Sequence, residues 1–407
     1  VDIYKEAILM HKELKGKIDI ISKVKTETEH DLALAYSPGV AEPCREIADD
    51  PDLINTYTAR GNMVAVVSDG SSVLGLGNIG ARASLPVMEG KCVLFKQFGG
   101  VSAFPICIES QDNDRIVETV KLLEPSFSGI SLEDIAAPRC FQIEQRLKTE
   151  TKMLIFHDDQ HGTAIVVLAG LFNALKYYGL EIKKVKIVVN GAGAAGHSIV
   201  NLLAELEVKN ILVCDRKGII YRGREGLNFA KEEIAQITNP GNVKGSLSDA
   251  LEEAEIFIGV SAADVLKTEM VAKMKKKPVI FALANPEPEI PYSLAKEIGI
   301  EMIATGRSDL PNQVNNVLAF PGVFRGALDC HAKDINTRMK IAAAIAIANI
   351  AAKEVRSDYI IPKPFDRCVL PAVAAAVAKA AVETKMAKKD TDIDLIEYRA
   401  RRIADCR

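Results

Sequence analysis

Three groups of residues in this chain have types and spacing suited to chemistry. Two are pairs of adjacent carboxylates, Glu133-Asp134 and Asp158-Asp159, each placed directly after a short apolar run. Neighbouring side chains at a strand end diverge, so the two members of a pair cannot share one task. One can face a metal while the other hydrogen-bonds a neighbour. Together the pairs could supply three or four oxygen ligands, and ligation by oxygen alone suits Mg2+ or Mn2+ better than zinc or copper. His157 and His161 flank the second pair. A strand-to-helix junction would not bring them to one face, so no zinc site is expected.

The third group is the turn Gly191-Ala192-Gly193-Ala194-Ala195-Gly196. An apolar strand precedes it (186–189), an apolar-periodic helix follows (195–206), and a second strand (210–214) ends in Asp215. That acid falls at the spacing of about 20 residues where a dinucleotide fold holds a ribose. The first glycine permits the turn, the second lets backbone N–H groups reach a pyrophosphate, and the third packs helix on strand. The pyrophosphate would rest on a helix N-terminus. Asp215 favours NAD, whereas Arg216, Lys217, Arg222 and Arg224 follow closely and could accept the 2′-phosphate of NADP. A second glycine pattern, residues 74–80, precedes a segment without a ribose-binding acid and is read as a tight turn. A nicotinamide site beside a divalent cation suits oxidation of a 2-hydroxy acid. The cation can chelate the hydroxyl and its carboxylate and polarise the new carbonyl, so that a β-carboxylate leaves as CO2.

The elements that must position these groups alternate. Strands are expected at 62–68, 91–97, 127–130 and 153–156, with helices at 2–14, 112–123, 138–148 and 163–178. After the dinucleotide turn, strands at 255–259, 278–282 and 301–303 alternate with helices, the pattern of a doubly wound parallel sheet. Asn285 then ends a strand before Pro286, where ligands bind in such sheets. Segments 337–352 and 370–382 are alanine-rich and apolar on several faces, so they should be buried. Pro38 and Gly39 force a turn that presents Tyr36 at a loop end.

The expected fold is α/β with two domains. The first is 1–158, rejoined by C-terminal helices in 316–407; the second is a Rossmann-type sheet in 159–315. The 407 residues carry a net charge of −3, which gives no electrostatic case for nucleic acid. No apolar run reaches membrane length. Eight scattered cysteines fit a reducing cytoplasm. The chain begins with Val1, so an initiator Met or short leader is expected to precede it.

Eight stretches carry a resemblance: AYSPGVAEP (35–43), VVSDGSSVLGLGNIG (66–80), GKCVLF (90–95), LEDI (132–135), FHDDQHGTA (156–164), VVNGAGAAG (188–196), ALANPEPEI (282–290) and NNVLAFPGV (315–323). The chain resembles a malic enzyme of the short, bacterial and archaeal-like type. The resemblance implies oxidative decarboxylation of L-malate to pyruvate, with NAD or NADP and Mg2+ or Mn2+. It implies Lys91 as general base, Tyr36 as the acid that protonates C3, and Asp158 as the carboxylate that orients the lysine. It implies Glu133, Asp134 and Asp159 as metal ligands, Asn285 and Asn316 as holders of the substrate carboxylates, and a homodimer in which Tyr36 or Lys91 comes from the partner. The larger family members have an arginine where Ser72 and Val73 stand, so another group must grip one carboxylate. A base lysine must be partly neutral, and both burial and a nearby cation push its pKa down. Two other functions fit less of the chain: a non-decarboxylating 2-hydroxy-acid or amino-acid dehydrogenase, and a non-catalytic NAD-sensing subunit.

Overall fold

The computed structural model describes residues 2–73 and 75–406. Leu74, the first residue of the expected 74–80 turn, lies outside the described residues. Two sheets organise the chain. The first contains β1 (Met63–Ser68), β2 (Ser102–Cys107), β3 (Gly129–Leu132) and β4 (Leu154–His157), in the order β2-β1-β3-β4 with every pair parallel. The second contains β5 (Ile187–Asn190), β6 (Ile211–Asp215), β7 (Gly218–Ile219), β8 (Ile256–Gly259), β9 (Val279–Ala282) and β10 (Met302–Thr305), in the order β10-β9-β8-β5-β6-β7. Only β7 runs antiparallel to its neighbour. The strand order reverses between β5 and β8, the crevice where doubly wound sheets bind ligands.

Both sheets are covered on two faces, which is why their strands are near-continuous apolar runs. On one face of the first sheet, Val64 and Val66 join a core that runs through helix Asp158–Tyr178 to the second sheet. On the other face, Ala65, Val67, Ile130 and Leu132 pack against helices Asn113–Lys121 and Arg139–Glu150. The C-terminal helices lie against both parts. Phe320 and Phe324 of helix Phe320–Asp329 meet Phe95 with ring centroids 4.7 and 5.2 Å apart. Helix Thr337–Ala351 is tied to helix Asp158–Tyr178 by Asn173 Nδ2, which donates to the Ala348 carbonyl at 2.8 Å. No helix of the described residues is long and apolar enough to cross a membrane.

Two local expectations are corrected. Residues 91–97 are not a strand; they lie inside helix Ala81–Gly99. Met88, Cys92, Phe95 and Gly99 are buried at intervals of three and four, which is one face of a helix. The helix of the second carboxylate pair begins at Asp158 and not at residue 163, so both acids sit in its first turn, where the dipole favours negative charge. Strand β2 was not among the expected strands; it lies at the sheet edge, where a proline such as Pro105 is tolerated.

Among the described residues, the helices before β1 bury no side chain. Ile20 and Ile21, between them, are 81% and 83% exposed.

Helices Phe320–Asp329 and Val369–Glu383 approach backbone to backbone. A Cβ on Gly326 would lie 2.4 Å from the Ala374 carbonyl oxygen. Gly326→Ala is therefore expected to cost about 1–3 kcal/mol of stability, the range for overpacking. Urea unfolding followed by circular dichroism measures it, and an unchanged midpoint would refute the close approach.

Candidate active site

Helix Ala81–Gly99 turns Lys91 inward, where it is 8% exposed. Its Nζ stands 2.5 Å from Asp158 Oδ2, 3.0 Å from Glu133 Oε1 and 4.5 Å from the Phe320 ring centroid. Asp158 is fully buried and also accepts a hydrogen bond from Asn316 Nδ2. A Cβ on Gly162 would lie 1.9 Å from Asp158 Oδ1 and 3.0 Å from Asn316 Cβ, so only glycine lets the carboxylate sit there.

The other acids form a second set beside the first. Asp134 adopts a left-handed backbone, φ 55°, and its N–H donates to Asp159 Oδ2 at 2.8 Å. Glu133, Asp134 and Asp159 each offer an oxygen, and these oxygens lie within 4.8 Å of one another. Glu133 Oε2 is buried without a hydrogen-bond partner among the described residues. A buried carboxylate oxygen left this way needs a cation or a proton. The all-oxygen donor set fits Mg2+ or Mn2+.

The electrostatics are those of a crowded, dry site. Burial pushes the Glu133 and Asp158 carboxyls up, against the pull of Lys91. Burial pulls the Lys91 ammonium down, yet Asp158 and Glu133 outweigh it and hold the lysine above its ordinary value. The expected lowering therefore does not come from the protein alone. A divalent cation on Glu133, Asp134 and Asp159 would draw on the same negative charge and release the lysine toward its neutral form.

Residues that the sequence did not mark hold the loops in place. Asp69, directly after β1, accepts from Arg139 Nη2 at 2.6 Å and from Ser71 Oγ at 2.5 Å. Ser71 Oγ in turn accepts the Ala136 N–H at 2.9 Å. This ties the loop after β1 to the loop that carries Glu133 and Asp134. The only sequence signal was a charge immediately after an apolar strand. Phe320, under the Lys91 ammonium, gave no signal beyond being apolar.

Tyr36 is not gathered into this cluster by hydrogen bonds. It follows helix Glu29–Ala35 and is 70% exposed. Asn285 is also exposed, with its side chain about the width of a contact from Gly306. Asn316 is in the site, bonded to Asp158.

The dinucleotide turn follows β5, with helix Ala194–Glu205 starting inside it. Gly191 has φ 120°, and a Cβ there would lie 2.5 Å from the Val260 carbonyl oxygen. A Cβ on Gly196 would meet the Gly191 oxygen at 1.8 Å, whereas Gly193 faces open space. The cradle thus has the tight turn, the open approach and the close packing that a pyrophosphate needs. Ala192 and Ala195 complete it. Asp215 ends β6 as expected, but its carboxylate is already engaged. Arg224 Nη2 donates to it, Lys231 Nζ does so at 2.7 Å, and the Lys217 N–H does so at 2.9 Å. Burial would raise the carboxyl, and these donors instead hold it at about 2. Arg216 is exposed.

Models of the malic enzyme N-terminal domain and of the malic enzyme NAD-binding domain match residues 15–148 and residues 160–298 with 299–382. The chain belongs to the malic enzyme family. It is 56% identical over 405 residues to a bifunctional malic/malolactic enzyme of Bacillus subtilis, covering 99% of both chains. It is 51% identical over 391 residues to an NAD-dependent malic enzyme of Geobacillus stearothermophilus, covering 96% of this chain and 81% of that one. A crystal structure of malic enzyme from Pyrococcus horikoshii superposes with a TM-score of 0.93 at 44% identity, covering 98% of this chain and 96% of that one. The lysine, the four acids and the glycine cradle therefore belong to a malic enzyme, dependent on NAD or NADP and on a divalent metal.

If the three acids hold the cation, Asp159→Asn should weaken Mn2+ binding at least about tenfold. Free Mn2+ read by electron paramagnetic resonance measures this without turnover. Equal affinity in both proteins would remove Asp159 from the ligand set.

Proposed function

We propose that this malic enzyme oxidises L-malate to pyruvate and CO2 while reducing NAD(P)+, with Lys91 as the base. The observation that carries the reading is the Lys91 ammonium 2.5 Å from Asp158 and 3.0 Å from Glu133, beside a set of carboxylate oxygens. Lys91 takes the proton of the substrate 2-hydroxyl. Asp158, fixed by Asn316 and by the absence of a side chain at Gly162, holds the lysine in line. Glu133, Asp134 and Asp159 hold Mg2+ or Mn2+, which when bound supplies Lewis-acid polarisation of the oxygen on C2. The Gly191–Gly196 cradle, with Asp215 and Arg216 toward the ribose, holds the nucleotide that accepts the hydride. Asn285 and Asn316 grip the substrate carboxylates, and Tyr36 returns a proton to C3.

Tyr36 needs a way to the site. It lies on the segment whose helices bury nothing in their own chain, whereas Lys91 is buried. This supports a homodimer in which Tyr36 serves the site of the second copy. We divide the chain into residues 1–158, rejoined by 316–407, and residues 159–315, a division supported by the two sheets. Eight unpaired thiols support the cytoplasm as its compartment. Neither nucleic acid nor membrane is part of this function. The Bacillus subtilis relative's name adds a second product: the same site yields lactate if the reduced nucleotide stays and returns its hydride to pyruvate.

The test is a product assay with L-malate, NAD+ and NADP+ in parallel, and Mn2+ present or chelated. Pyruvate or lactate with CO2, formed only with metal, is the expected result. Oxaloacetate accumulating regardless of chelation would overturn the decarboxylase. Lys91→Ala should abolish malate oxidation but spare proton exchange at C3 of pyruvate, and Tyr36→Phe should lose that exchange. Mixing the two variants should restore turnover, because a mixed dimer contains one complete site. No recovery, with mixed dimers shown to form, would place both residues in one chain.

A further inference from the structure

A cavity of about 1160 Å3 opens beside helix Arg139–Glu150. Helices Ala194–Glu205 and Thr337–Ala351 supply its other walls. Neither Lys91 nor the metal-ligating acids nor the glycine cradle lines it. Lys340 does, although the residue is only 6% exposed. Its backbone N–H donates to the Asn336 carbonyl, but among the described residues its ammonium makes no hydrogen bond and no ion pair.

Two acids act on the Lys340 ammonium, Glu144 and Asp334, and both are already engaged; of the other acids lining the cavity, Asp114 pairs with Arg146, Glu233 pairs with His197, and Glu205 ends helix Ala194–Glu205. Glu144 Oε1 takes His161 Nε2 at 2.6 Å and Lys148 Nζ at 3.4 Å, while Oε2 accepts Gln160 Nε2 at 3.0 Å. His161 Nδ1 meets Ser198 Oγ at 3.0 Å. Asp334, in the turn before Lys340's helix, pairs with Lys148 at 3.5 Å. What remains is a buried ammonium beside a second ammonium, with space in front of it. A buried charge without a partner is unfavourable, and an arriving anion relieves it. We propose that this cavity is a binding site for a small oxyanion, a phosphate or a carboxylate, held by Lys340 and Lys148 and separate from the substrate and nucleotide sites. Its walls come from helices that serve both sheets, so an occupant bridges the two parts of the molecule.

Burial and the neighbouring Lys148 pull the Lys340 ammonium down to about 7, against Glu144 and Asp334. The anion must bind the protonated form, so binding takes up a proton and weakens as pH rises through that value.

The experiment is calorimetric titration of inorganic phosphate, and separately of succinate, into the intact protein with NAD+ saturating to fill the glycine cradle. Ionic strength is held with chloride. The wild type should bind at least one probe saturably, more tightly at pH 6.5 than at pH 8.5. Lys340→Met should lose at least about tenfold in affinity, Lys148→Met should lose part of it, and Lys340→Arg should retain it. Only the component lost in Lys340→Met is assigned to the cavity, which separates it from succinate in the substrate site. Retained Mn2+ affinity in Lys340→Met shows that the fold is intact. The probe that binds through Lys340 names the head group. No saturable binding of either probe, or equal binding in Lys340→Met, would overturn the site. Binding is read without turnover, so the result stands apart from the reaction assignment.

Discussion

The Lys91 ammonium, shut between Asp158 and Glu133, is the interaction on which the site depends. Removing three charges from water is costly, and their mutual attraction offsets it only if the geometry is tight. That geometry is enforced by packing at a distance. Phe95, one helical turn beyond Lys91, is pinned between Phe320 and Phe324. The same Phe320 roofs the ammonium. Hydrophobic contact among three rings thus sets where a charge sits.

Parallel sheets bring the acids to it. β3 and β4 are neighbours in register, with Leu132 opposite His157. The residues that leave their carboxyl ends, Glu133-Asp134 and Asp158-Asp159, must therefore meet in space although 25 positions separate Asp134 from Asp159 in sequence. The nucleotide cradle arises in the same manner at the carboxyl end of β5. Helix Asp158–Tyr178 connects the two, beginning among the acids and ending beneath the second sheet. One continuous element therefore joins the acid cluster, the lysine and the glycine cradle.

Much of this was legible in the sequence. Buried parallel strands are apolar runs, the glycine spacing of 191–196 has few other uses, and adjacent acids after strands stand out. The failures have physical causes. Residues 91–97 read as a strand, which hid the helix that carries Lys91; Pro86 lies inside that helix and leaves the Arg82 carbonyl without its N–H donor. The helix was expected only from residue 163, where the apolar run begins, which hid its start at Asp158. The network of Glu144, His161 and Lys340 joins residues from three distant segments, and no local pattern announces such a meeting. Asp215 was legible as the acid that ends β6. Its engagement by Arg224 and Lys231 was not, because the sequence shows which cations are near and not which way they reach.

Gly162 has a cost of its own. Glycine inside a helix is less stable than alanine by about 1 kcal/mol, through the larger entropy of its unfolded backbone. Here the glycine lies five residues into a helix that both halves of the core pack against. Alanine would suit the helix and would displace the Asp158 carboxylate. At this position helix propensity and the packing of the buried carboxylate ask for different amino acids, and the chain carries the one that packing requires. Helix propensity considered alone would favour that alanine and displace the carboxylate that pairs with Lys91.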